Sequence, residues 1–490
     1  MTLVRRSAGC AAVALGVALL VVGGSTRPAA IEAEPNRFVD VRPGIEAHNS
    51  PAVAFDPSRP GVMAVADRVS SPRFSCSVSL SDDGGGSWRR VGLDLPAEAP
   101  NCFWPDVAFD DKGSLLVLYT STGGRFNLPV SVWLQRFEAE TPAGPAVQVT
   151  GPLGFHSSLG VDGRRVAVAW LQAGPTTVDE PAGLAPPHAL MVARSDDGGR
   201  RFSSPVPVSE ADRLVALPTV IMGTDRQVIV GALDLGDDLL DYEAGHDSQG
   251  GPPDDGRWRL VAWTSEDEGA SFGPTSIVAD DLVIPQRIIV NLGPRPDFGR
   301  DPRNGRLYAT WDAGQGNDRD VFLASSDDAG KTWAPPRSVL RRSGTQTLPS
   351  VSVSSDGRVD VAFYDRGREP EDVLAEVVLA SSWDGGGSFV TTTVSDRSFD
   401  ARIGFGSAEE IPVIASQMAT LSEPDRSLVF WTDTRKGTID TGRQDIALAS
   451  AEPRPPRGRR AALLAFGVLL VAGGLLAVGG QRRPGNLLAL

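Results

Sequence analysis

Lysine is nearly missing from this chain. Only Lys112, Lys331 and Lys436 occur in 490 residues, and arginine carries the remaining positive charge, a mark of genome composition rather than of mechanism. Positive charge as a whole is short, with 47 Lys and Arg against 61 Asp and Glu and a net charge of −14. A surface of that sign repels phosphate backbones, so no nucleic-acid partner is expected. Helical periodicity is missing as well: between residues 35 and 450 no long 3.6-residue pattern occurs, which argues against a helical domain. The four histidines, His48, His156, His188 and His246, have no close spacing of the kind that binds zinc, and no metal site is assigned to them. Of the three cysteines, Cys10 lies in an apolar leader, which leaves Cys76 and Cys102. An even pair in an exported chain predicts one disulfide, with two buried free thiols as the alternative.

The ends of the chain are apolar. Residues 1–33 begin with two arginines, an apolar run and small residues, the pattern of a signal peptide or an N-terminal anchor. Residues 461–480, "AALLAFGVLLVAGGLLAVGG", are long enough to cross a bilayer as a helix. A Pro/Arg stalk at 451–460 precedes them and a short tail at 481–490 follows. The arginines flanking this segment are more numerous on its N-terminal side, which taken alone would orient it the other way. The export signal outweighs that bias, because a long folded domain translocates largely regardless of loop charge. The expectation is a folded domain over 34–450, outside the cytoplasm and anchored to the cell membrane.

What that domain has in quantity is one turn. "SDDGGGSW" at Ser81 returns as "SDDGGRRF" at Ser195, "SEDEGASF" at Ser265, "SDDAGKTW" at Ser326 and "SWDGGGSF" at Ser382. In each, an Asp (Asp83, Asp197, Asp267, Asp328, Asp384) can accept backbone amides from the residues after it. The glycine beyond it permits positive φ, and the final aromatic anchors the turn on an apolar body. Short β-branched runs flank every turn, and two more lie upstream, so each unit reads strand, strand, strand, Asp turn, strand. Four-stranded units repeating around an axis are the signature of a β-propeller, an all-β fold. Units begin near Ser50, Trp104, Ser157, Leu217, Arg287, Leu348 and Pro412. This gives seven blades, or six if one unit is irregular. The seventh lacks a fourth strand, and the orphan segment "NRFVDVRPG" at 36–44 is predicted to complete it and latch the ring.

The five turns resemble the Asp boxes, or bacterial neuraminidase repeats, of the sialidase superfamily, and "SPAVAFDP", "VAFYDR" and "SDDAGKTW" resemble exported bacterial sialidase-like proteins. The resemblance covers about 45–450. It implies that the boxes sit at the blade periphery and build the fold, away from any catalytic centre. It also directs attention to an Arg-Ile-Pro motif, three arginines gripping a carboxylate, an acid/base Asp and a Tyr/Glu nucleophile pair. The chain departs from that set at "VRPGIE", where Arg42 precedes Pro43 without the Ile. Tyr364, followed by Glu369 and Glu371, is the best nucleophile among four tyrosines, the alternative being a strand cap.

Second strands end in acidic residues that the repeat places around one mouth: Asp67, Asp234, Asp312, Asp365 and Asp433. Arg68, Arg366 and Arg435 lie beside three of them, on blades that meet if the ring closes. Three converging arginines would bind a carboxylate; the alternative is Asp–Arg pairing within the strand-end turns. Asp67 and Asp433 are the acid candidates. The acidic loop 234–259 reads as a lid, a calcium site or a solvated loop. Three functions remain open. The first is a non-catalytic tethered propeller that binds a carbohydrate, cell-wall or protein ligand. The second is an exo-acting glycosidase of sialidase type with Tyr364, Glu369 and Asp67 at its site. The third is a cell-surface structural protein. A monomer is expected.

Overall fold

A computed structural model describes residues 28–456, apart from 40–43, 126, 175–187, 211–212, 237–256, 284–294, 316–317, 369 and 405–413. The segments 1–27 and 461–480, expected to be a signal or anchor and a membrane helix, lie outside these residues, as does Glu369. No helix among the described residues is long and apolar enough to cross a membrane.

Seven antiparallel sheets follow one another along Ile31–Glu452. The first strands are His48–Phe55, Asn101–Phe109, Gly154–Asp162, Leu214–Met222, Asp297–Arg300, Gln346–Val353 and Ala419–Ser422. Each packs against the first strands of both neighbouring blades, and the seventh closes on the first, so these strands surround the axis. The protein is a seven-bladed β-propeller. Its second strands are nearly all buried because each is covered by a blade on either side, as in "MAVADRV" (Met63–Val69) and "SLVFWTD" (Ser427–Asp433). That double burial explains why they read as near-continuous apolar runs rather than as a clean alternation.

The seventh sheet holds the closure. Its last long strand, Asp445–Arg454, pairs with Arg37–Phe38 in the register Arg37↔Leu448 and Phe38↔Ala447. The latch expected at 36–44 therefore forms, through residues 37–38. A second short strand, Ala30–Ala33, also lies on Asp445–Arg454. Two boundaries shift in consequence. Residues 30–33, assigned to the leader, and 451–454, assigned to the stalk, belong to blade 7, because its last strand runs on to Arg454 and takes up 30–33 on its outer edge.

The Asp turns share one geometry. In the first, Ser81 Oγ donates to Asp83 Oδ1 (2.8 Å) and accepts from Gly85 N (2.9 Å). Asp83 Oδ1 also accepts from Gly86 N and Ser87 N, both at 2.9 Å. Equivalent bonds hold Asp197, Asp267, Asp328 and Asp384. The turns clamp blade to blade: a Cβ on Gly199 would come 2.2 Å from Leu134 of blade 2, and one on Gly386 would come 2.6 Å from Leu323 of blade 5.

Candidate functional site at the propeller axis

A second repeat shapes the other end of the blades. In five first strands the register slips by a bulge, at Asn49/Ala52, Phe103/Asp106, Phe155/Ser158, Ala216/Thr219 and Thr347/Ser350. The bulged residues Ser50, Trp104, His156, Leu217 and Leu348 have φ between 47° and 58°. Four of them precede a proline, which cannot donate to a ladder and is tolerated at bulges. A bulge re-aims a side chain. Antiparallel pairing puts these bulges beside the ends of the second strands, as in His48↔Val69 and Gln346↔Asp365. The Asp turns, which follow the third strands, lie on the opposite face.

Four blades bring cations and aromatic rings together on the bulged face. Arg68 of blade 1 is only 2% exposed, its Nε donates to Asn49 Oδ1 at 2.8 Å, and its guanidinium lies 4.9 Å from the Phe103 ring centre. Arg295, just before the first strand of blade 5, lies 5.0 Å from the Trp104 ring. His156 is 4.6 Å from Trp104, and Phe155 meets His188 edge-on at 4.9 Å. Burial depresses the His156 pKa to about 3, with His188, Arg295 and Arg68 adding to the effect, so the ring is neutral at pH 7. Burial also lowers the Arg68 guanidinium to about 10 and shifts Arg295 downward. Arg68 Nη1, Arg295 Nη1 and His156 Nδ1 are buried without a hydrogen-bond partner among the described residues. Buried unpaired donors are costly, so their clustering marks a place where a ligand's acceptors compensate them.

Behind the mouth runs an axial cavity of about 260 Å³, lined in part by Asp106, Ser158, Thr219, Arg295, Asp297 and Ser350. Asp106 accepts from Val107 N and Leu159 N, and Asp297 from Phe298 N and Val351 N, all at 2.9 Å. Each carboxylate thus ties its blade to the next. Burial raises both pKa values, against these amides and the charge of Arg295.

Of the residues expected from sequence, Arg68 lies in this site and the others fall elsewhere. Asp67 binds His48 Nδ1 at 2.6 Å, and His48 Nε2 reaches Glu46 at 3.1 Å. Asp312 accepts from Arg319 (2.5 Å), Thr347 Oγ1 (3.0 Å) and Leu348 N (3.1 Å). Asp433 holds Arg435 and Trp431, while Asp234 and Asp365 pair with Arg213 and Arg342 respectively. Asp–Arg pairing is the arrangement found at Asp234, Asp312, Asp365 and Asp433, but not at Asp67. Arg68, Arg366 and Arg435 do not share one space: Arg366 pairs with Asp372, and Arg435 reaches Asp396, Asn36 and the Phe38 ring at the outer latch. Arg366 and Arg435 are drawn to a carboxylate of their own turn, Asp372 and Asp433, and Arg68 to the Asn49 amide of the first strand. Tyr364 is 1% exposed, and its Oη accepts from Thr432 N of blade 7 at 3.0 Å. Burial holds its pKa well above the usual phenol value. It is a blade-to-blade strut without the open position a nucleophile needs. Cys76 and Cys102 form a disulfide with Cα atoms 5.3 Å apart, joining blades 1 and 2.

Most of the acidic loop 234–259, read as a lid, a calcium site or a solvated loop, lies outside the described residues, as does His246. Among those that are described, no group of His, Cys, Asp and Glu is arranged to hold a metal. Sequence reasoning missed Trp104, Arg295, Asp106 and Asp297. The signal was present in the X-Pro openings "FWPDVAF" and "RPDFGR", which repeat as regularly as the Asp turns.

No protein-family model and no curated protein matches the chain. Solved structures do. A polysaccharide lyase of family PL25, an ulvan lyase, superposes with a TM-score of 0.51 at 13% identity, covering 89% of this chain and 99% of that one. A sialidase of Streptococcus pneumoniae gives 0.43 at 12% identity over 86% and 71%. A Trypanosoma rangeli sialidase complexed with sialic acid gives 0.44 at 11% over 95% and 64%. The likeness is one of fold.

Proposed function

We propose that the protein is a non-catalytic propeller that binds an acidic carbohydrate at the bulged axial face. The observation that carries this reading is the set of buried, unpartnered nitrogens on Arg68, Arg295 and His156 beside the faces of Trp104 and Phe103. Guanidinium donors suit a planar carboxylate, and the aromatic faces suit the apolar face of a sugar ring. Asp106 and Asp297 support binding over hydrolysis, since both oxygens of each are occupied by backbone amides. Tyr364, the residue a sialidase-type mechanism would use, is occupied by Thr432. The five Asp turns are, on this reading, the Asp boxes of a sialidase-like scaffold. The apolar segments at 1–27 and 461–480 export the propeller and tether it to the membrane, facing away from the cytoplasm.

The test is calorimetric titration of the full chain in detergent with sialic acid and with glucuronate-bearing oligosaccharides, against neutral oligosaccharides of the same length. Acidic ligands should bind, and Arg295→Gln should weaken them about tenfold, the loss of one charge-assisted contact of about 1.4 kcal/mol. Equal binding of neutral and acidic sugars, or turnover of a fluorogenic sialoside, would overturn this reading.

A further inference from the structure

The opposite face carries its own cationic depression, of about 710 Å³, where blades 1, 2 and 3 meet between their first-strand turns. Arg59, Lys112, Arg136, Arg164 and Arg200 line it, against Asp110 and Glu138. Asp56 neutralises Arg59 and Asp110 neutralises Arg136, which leaves Lys112, Arg164 and Arg200 against Glu138, a net +2, in a chain whose net charge is −14.

The floor is built. Arg136, on the third strand of blade 2, has a side chain only 6% exposed, with Nη2 on Asp110 Oδ2 at 3.1 Å and Nη1 on the Gly198 carbonyl. Its Nε is buried with no partner among the described residues. Gly198, with φ +77°, lets the chain pass close beneath: the Cβ of any other residue would lie 2.9 Å from Arg136 Nη1 and 3.6 Å from Arg200 Nη1. Two guanidinium groups therefore converge over one glycine. Arg200 Nη1 is tied only to the Asp197 carbonyl, and neither Lys112 nor Arg164 has a carboxylate partner among the described residues. Arg59 leans in, donating to the Gly113 carbonyl at 2.9 Å.

Like charges gathered in one hollow repel one another unless an anion offsets them. We propose that this depression binds a tetrahedral oxyanion, a phosphate or sulfate ester, with Arg136 as floor and Arg164, Arg200 and Lys112 as rim. A tetrahedral anion accepts from several cations at once, which suits donors arriving from three separate blades.

The test measures thermal stabilisation and calorimetric binding of the full chain by inorganic phosphate, inorganic sulfate and acetate at fixed ionic strength. Saturable binding of phosphate, sulfate or both, and not of acetate, is expected; which of the two binds tells the source ester. The variant Arg164→Gln/Arg200→Gln changes only exposed residues and should weaken binding at least tenfold. Arg295→Gln, at the axial mouth, should leave it unchanged. Three results would overturn the proposal: no saturable binding at matched ionic strength, undiminished binding by the double variant, or loss of binding in Arg295→Gln, which would assign the anion to the other face.

Discussion

His48 offers the sharpest test of the electrostatics on the bulged face. Its ring sits between Asp67, 2.6 Å from Nδ1, and Glu46, 3.1 Å from Nε2. Burial opposes the charged ring, yet the two carboxylates outweigh it and lift the pKa from 6.5 to about 9, with Arg90 pulling weakly downward. The folded state thus holds a proton that the unfolded chain releases near pH 6.5. A raised histidine pKa contributes stability that is fully present below about pH 6.5 and is lost as pH rises through about 9. At about 1.4 kcal/mol per unit, the change amounts to about 3 kcal/mol. The propeller unit, Ile31–Glu452, has an unfolding entropy of roughly 0.9 kcal/mol/K at about 2 cal/mol/K per residue, so Tm should fall by about 3–4 °C over that window. Scanning calorimetry of the wild type and His48→Gln across pH 6–9.5 reads it directly. Glutamine keeps a donor for Asp67 but cannot titrate, so the difference between the two curves should shrink above pH 9. Parallel curves throughout would refute the assignment of a charged ring.

Asp328→Ala removes the acceptor for Ser326 Oγ, Thr332 N and Thr332 Oγ1; it should destabilise by about 1–2 kcal/mol in denaturant titration while ligand binding by the folded protein is unchanged. Reducing Cys76–Cys102, which closes a separation of 26 residues, should cost about 3 kcal/mol, and free thiols in the folded protein detected by mass spectrometry would contradict the bridge. Tyr364→Phe should lower stability by about 1 kcal/mol through loss of the Thr432 contact and leave saccharide affinity within twofold; a selective loss of affinity would return Tyr364 to the site.

The propeller could be read because its information is local and repeated. A Ser-x-Asp-x-Gly turn works through residues four apart, so five copies announced the fold before any long-range contact was known. The latch was legible for a different reason, an orphan strand at one end matching a missing one at the other. The site was harder to see. Arg68 and Arg295 lie 227 positions apart, and only the ring brings both to bear on His156. The arginines that looked collected in sequence, Arg68, Arg366 and Arg435, share a position within their blades, but each meets its nearest acceptor first. A repeat specifies which end of a blade a residue occupies; it does not specify whether the side chain turns toward the axis or toward its own turn.

The closure of blade 7 sets an order of events for the chain. Arg37 meets Leu448 across 411 intervening bonds of sequence, 448 minus 37. Closing so long a loop costs about 5 kcal/mol of chain entropy by the logarithmic law, and it returns nothing until Asp445–Arg454 exists to receive it. Six blades can assemble as they are synthesised, each on its predecessor, whereas the seventh waits for the last strand. Until then Ala30–Phe38 stays an unpaired strand former at one end of an open arc whose edges are apolar. A protein built this way depends on holding Ala30–Phe38 out of wrong pairings for the whole time of synthesis, and a chain stopped just short of Asp445 would carry six finished blades and no ring.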